Sequence, residues 1–140
     1  MGGTGASAYD LDRSRGETGE FRIDEERPNP HTVVLSIFGD ADLTAASELR
    51  DRLGEAIDDG PSALVLDLSG ATFLDSMTLG VFLNGMKRLR AQGGRFRIVA
   101  PREDIRRIFE MTLLDRVFDL DLSRQDALIA AGAAAAARRD

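Results

Sequence analysis

The sequence contains no cysteine. That excludes disulfides, thiolate nucleophiles and cysteine-ligated zinc, and it leaves nothing that points to secretion. Histidine is nearly absent too. The single one, His31, stands where a strand is expected to begin. A Ser-His-Asp hydrolase needs its histidine between a nucleophile and an orienting carboxylate. Nothing around His31 supplies either, so it reads as an ordinary surface side chain. Long apolar runs are missing as well. No stretch approaches the roughly 18 residues of a membrane span, and the N-terminus lacks the apolar core of a signal peptide. Cations are in deficit: 18 Lys and Arg against 24 Asp and Glu give a formal charge of −6. This argues against nucleic acid as a partner, because phosphate binding needs clustered cations. It also argues against attraction to an anionic membrane. A Walker loop is lacking: Gly2-Gly-Thr-Gly-Ala-Ser7 has no preceding strand and no lysine. The carboxylates Asp40, Asp42, Asp67 and Asp75 show no coordination spacing, so they read as solvated loop residues and no metal or cofactor is expected. These absences leave an acidic domain expected in the cytoplasm.

At 140 residues, the chain is the size of one ordinary domain. Residues 1–19 are rich in Gly, Ser, Thr and charge with no apolar period, and are expected to form a mobile tail. A short edge strand is expected near Glu20–Glu25, then a turn at Arg27-Pro-Asn-Pro30. His31–Phe38 is β-branched and apolar and reads as a strand that Gly39-Asp-Ala-Asp42 ends. Thr44 is expected to cap a helix whose apolar face is Ala46, Leu49, Leu53, Ala56 and Ile57. Ala63–Leu68 is the nearly continuous apolar run of a central strand, and Ser69–Leu74 reads as a link. A second helix runs from Asp75-Ser76 to about Gln92, with Leu79, Phe82, Leu83, Met86 and Leu89 inward. Arg95–Ala100 alternates as a strand. Pro101 opens a third helix, with Ile105, Ile108, Phe109 and Met111 or Thr112 inward. Val117–Leu120 is a short last strand, and Ser123 starts a final helix. The order β-β-α-β-α-β-α-β-α predicts one α/β domain over residues 20–132, with a mixed sheet of four to five strands and four helices. Residues 133–140 are expected to fray.

One position stands out. Ser76 lies at a strand-to-helix junction, where the first helical turn presents unpaired N–H groups and the positive end of the helix dipole. A serine there can cap the helix, or it can carry a phosphate. Met77, Val81, Asn84 and Arg88 form a second line at helical spacing, beside the core stripe. Met77 and Val81 suit either a docking surface or packing against a neighbouring loop.

Three stretches carry a resemblance: Leu64-Val-Leu-Asp-Leu-Ser69, Thr72-Phe-Leu-Asp-Ser76 and Leu79-Gly-Val81. Gly39-Asp-Ala-Asp-Leu-Thr44, Gly93-Gly94 before a strand, Pro101 and Leu113-Leu-Asp-Arg-Val-Phe118 add to it. Together, over residues 20–130, they resemble the anti-sigma-factor antagonists of the STAS domain family. The resemblance implies a non-enzymatic switch, monomeric or weakly dimeric. Ser76 matches the serine that an anti-sigma factor with serine kinase activity phosphorylates. The unphosphorylated protein captures that kinase, the phosphorylated form releases it, and a serine phosphatase resets it. Asp40, Asp42, Thr44, Asp75, Ser76, Met77, Thr78, Val81, Asn84 and Arg88 are the expected partner-binding residues. The family commonly reads Asp-Ser-Ser/Thr-Gly-Leu-Gly where this chain reads Asp75-Ser-Met-Thr-Leu-Gly80, so Met77 and Thr78 add bulk near the acceptor. That departure keeps open a non-switching STAS scaffold or transport-system subunit. Nucleotide hydrolysis at a metal among Asp40, Asp42 and Asp75 is the third reading.

Overall fold

The computed structural model describes the backbone of residues 20–139 and side chains as far as Gly132. The tail expected over 1–19, and the side chains of the expected fraying segment 133–140, lie outside the described residues. Five strands form one sheet: β1 (Arg22–Asn29), β2 (Thr32–Ala41), β3 (Ala63–Leu74), β4 (Arg95–Val99) and β5 (Asp119–Asp121). Their order is β1-β2-β3-β4-β5. β1 pairs antiparallel with β2, and the other neighbours are parallel. The helices are α1 (Leu43–Asp58), α2 (Ser76–Ala91), α3 (Glu103–Met111) and α4 (Arg124–Arg139), with a 3₁₀ turn at Leu114–Arg116.

Both faces of the sheet are covered, which is why Ala63–Leu68 is buried throughout. One face carries the larger core, where Val33, Leu35, Ile37, Leu64, Leu66 and Ile98 meet α1, α2 and α3. The other face is thinner, with Val34, Val65 and Val99 beneath Ala127 and Ala131 of α4. A guanidinium fastens α4 there. Arg124 donates to Asp67 (2.9 Å), to Glu26 (3.0 Å) and to the Ser36 hydroxyl (2.7 Å). Burial opposes the Arg124 charge, but these carboxylates outweigh it and raise its pKa.

Several expected boundaries move. β1 does not stop at Glu25 but runs through Pro28 to Asn29. It is an edge strand, and a register shift between Glu26 and Asn29 takes Pro28 out of the ladder. β2 continues through Gly39, whose φ of 83° suits glycine. The supposed link Ser69–Leu74 is strand, pairing Phe38 with Gly70 and Ala41 with Leu74. The inward stripe of α3 is shorter than expected: Ile105 and Phe109 are buried, while Met111 is 76 % exposed and Thr112 is exposed too. The last strand begins at Asp119, and Val117 is exposed. Ser123 does accept the Asp126 amide, as expected of a cap (3.0 Å).

Candidate functional site

Because Ala41 and Leu74 are register partners, α1 and α2 begin side by side at one end of the sheet. Each start is capped by an aspartate. Asp42 accepts the amides of Thr44 (3.1 Å) and Ala45 (3.2 Å) and the Thr44 hydroxyl (2.7 Å). Thr44 is therefore not the cap; the carboxylate two residues before it satisfies more first-turn donors than a hydroxyl can. The Thr44 hydroxyl bond and the two amides hold the Asp42 carboxyl below its ordinary pKa. Asp75 accepts the Thr78 amide (2.9 Å) and caps α2.

The cap on α2 decides how Ser76 is used. Since Asp75 does the capping, Ser76 is the first helical residue rather than the cap. It is exposed, and among the described residues its hydroxyl has no hydrogen-bond partner. Thr78 faces the other way. It is fully buried, and its hydroxyl donates to the Ala41 carbonyl (2.8 Å). The expectation that Thr78 meets a partner or crowds the acceptor is thus corrected: its side chain ties α2 to the end of β2. Asp40 is engaged by the Thr72 hydroxyl (2.6 Å).

An open groove of about 320 Å³ runs from Ser76 along α1 and α2. Ser76, Met77, Val81, Asn84 and Arg88 line its α2 side. Val81 is not an exposed docking residue, because at 7 % exposure it joins the main core and shows the groove only its edge. Met77 is 46 % exposed. Arg88 binds Asp58 at 2.6 Å. The ten expected residues thus divide: five line the groove, while Asp40, Asp42, Thr44, Asp75 and Thr78 shape the strand-to-helix junctions beside it.

Sequence reasoning passed over three residues here. Leu43 (64 % exposed) directly follows the α1 cap, and Phe73 (46 %) stands two residues before the α2 cap, as Met77 stands two after it. Arg50 lines the groove from α1. Leu43 was hidden because a cap at Thr44 puts it outside the helix, whereas the cap at Asp42 makes it the first helical residue. Phe73 was hidden because its stretch read as a link rather than a strand. Among the described residues, no group of three His, Cys, Asp or Glu side chains could hold a metal ion. Nor is any helix there long and apolar enough to cross a membrane.

The STAS domain family model matches residues 24–127. The chain belongs to the STAS domain family. Over 96 residues this STAS domain is 38 % identical to the anti-sigma-F factor antagonist RsfB of Mycobacterium tuberculosis, a match covering 69 % of the chain and 78 % of the relative. It is 32 % identical over 82 residues to the anti-sigma F factor antagonist of Lysinibacillus sphaericus, covering 58 % and 70 %. The crystal structure of an anti-sigma factor antagonist from Mycobacterium paratuberculosis superposes with a TM-score of 0.74 at 32 % identity, covering 81 % of this chain and 95 % of that one. These relatives are named as antagonists, which is a binding role rather than a catalytic one.

Proposed function

We propose that this STAS domain is an anti-sigma factor antagonist that captures a serine-kinase anti-sigma factor and is switched off by phosphorylation of Ser76. The observation that carries the reading is the free Ser76 hydroxyl. Asp75 does the capping, so a kinase takes nothing from the fold when it modifies Ser76. The surroundings support the rest. The exposed apolar side chains Leu43, Phe73 and Met77, each within two residues of a helix cap, supply surface that contact with a partner would bury. A phosphoserine beside the exposed Met77 brings a charge of about −1.5 to −2 that docking would have to desolvate. A penalty of about 3–4 kcal/mol lowers affinity several-hundred-fold. A serine phosphatase restores the capturing form.

The test is a binding titration of the kinase partner with the wild type, Ser76→Ala and Ser76→Asp. Wild type and Ser76→Ala bind alike, whereas Ser76→Asp binds at least 100-fold more weakly. Equal affinity for all three contradicts the charge switch. Met77 is the one observation favouring a non-switching scaffold, since it stands exposed beside the acceptor. Stable self-association without any kinase binding would favour that second reading.

A further inference from the structure

We propose that the groove between α1 and α2 receives an acidic amphipathic helix of the captured partner, with an apolar side chain seated over Gly80 and carboxylates toward Arg50 and Arg88. The inference rests on the reading of the Ser76 end as the capture face, and it names the chemistry of what docks there.

Shape is the first observation. The residues lining the α2 wall run from Ser76 to Arg88. At 1.5 Å per residue that is about 18 Å, the length of about three helical turns. An open groove of that length between two helices is the form that takes a helix by its apolar face.

Gly80 is the second observation. A glycine inside a helix costs about 0.5–1 kcal/mol relative to alanine. Gly85, further along the helix, is small for a reason inside the fold: a Cβ there would come within 2.6 Å of a Leu53 methyl and would force that buried side chain to move. Gly80 has no such reason. A Cβ added to it would meet nothing within 4 Å, and the residue is exposed on the groove wall beside Met77. Nothing within the described chain needs this position to be small, whereas an approaching partner does.

Charge is the third observation, and it sets the partner's chemistry. The protein carries a net charge of −6, yet the ionisable side chains lining this groove are both arginines. Arg88 keeps one exposed carboxylate partner, Asp58. Arg50 has no ion-pair partner among the described residues and is exposed. A guanidinium left over on an acidic protein fits a carboxylate supplied from outside, in the bidentate geometry that arginine favours.

The probe is a 14-residue synthetic helix with leucines on one face and glutamates beside them, compared with the same helix carrying lysine for each glutamate. Each is titrated into ¹⁵N-labelled full-length protein and followed by amide chemical shifts. The glutamate helix should shift amides of residues 50–57 and 76–88, and the lysine helix should bind at least 10-fold more weakly. Arg50→Glu should reverse that preference. Gly80→Leu should block the glutamate helix while its own spectrum stays folded, since the side chain enters open space. Shifts confined to other surfaces, no shifts, or equal binding of the two helices overturn the proposal. None of these readouts involves phosphate, so their failure leaves the Ser76 switch standing. Loss of the Ser76 switch, read in the kinase titration, does not alter which helix the groove takes.

Discussion

Asp75 and Ser76 are neighbours with separate places at the start of α2: Asp75 caps the helix and Ser76 is its first residue. A serine that also capped α2 would exchange its hydroxyl bond for a phosphate one on modification, tying the helix start to the modification state. Here the carboxylate holds the first turn and the hydroxyl is free. The sequence alone left two uses open for Ser76, and it misplaced Thr78. Its composition could not show that a threonine two residues further on turns inward, because that depends on where β2 ends. Thr78→Val should cost about 1–2 kcal/mol in urea denaturation by removing the bond to Ala41. Unchanged stability would show that this bond does not tie α2 to the sheet. Asp42 gives a pH dependence. Its folded-state pKa lies below that of the unfolded chain, chiefly through the Thr44 hydroxyl. The stabilisation is therefore complete above the ordinary aspartate range and is lost as pH falls through the lowered value. The stability difference between wild type and Asp42→Ala should accordingly be larger at pH 7 than at pH 3; an equal difference contradicts the assignment.

Apolar patterning, with the Ser123 cap for the last helix, located all four helices and their alternation with strands along the chain; the order of strands within the sheet came only from the structure. Strand ends were less legible. Gly39 and Gly70 look like breakers in the sequence, yet both lie inside strands that pair across a register shift. Only pairing between strands could reveal that β2 and β3 continue as far as the two caps, and so where Ser76 stands. The end of α3 was similarly hidden. Leu113 follows its C-cap with φ 63°, a left-handed conformation that favours glycine. Its side chain is also largely exposed. Leu113→Gly should therefore raise stability by about 0.5–1 kcal/mol, as relief of the strain exceeds the added freedom of the unfolded chain. A loss on thermal or urea unfolding would mean that the leucine makes a contact worth more than that strain.

For the molecule as a whole, the two sheet faces differ in kind. One carries the deep core and presents the groove, while the other, among the described residues, is closed by the alanine-rich α4 pinned by Arg124. The Asp67 side chain is 8 % exposed, so removing Arg124 leaves a nearly buried carboxylate that, among the described residues, keeps its bonds from Ser69 alone. Arg124→Ala should cost about 2 kcal/mol, less than a fully buried pair because the arginine is a third exposed. Amide exchange should quicken first in α4. Uniform quickening across the sheet would contradict a local fastening. The sequence showed Asp67 and Arg124 as unrelated charges 57 positions apart, and only the fold joins them.

In the proposed switch Ser76 is the acceptor and its phosphate ends capture. The direct measurement is to incubate the full-length protein with its anti-sigma factor kinase and ATP, locate phosphate by mass spectrometry, and titrate the product against the same kinase. One phosphate on Ser76 and at least 100-fold weaker capture is the expected result. Phosphate at another residue, or undiminished capture by protein fully phosphorylated at Ser76, would contradict it.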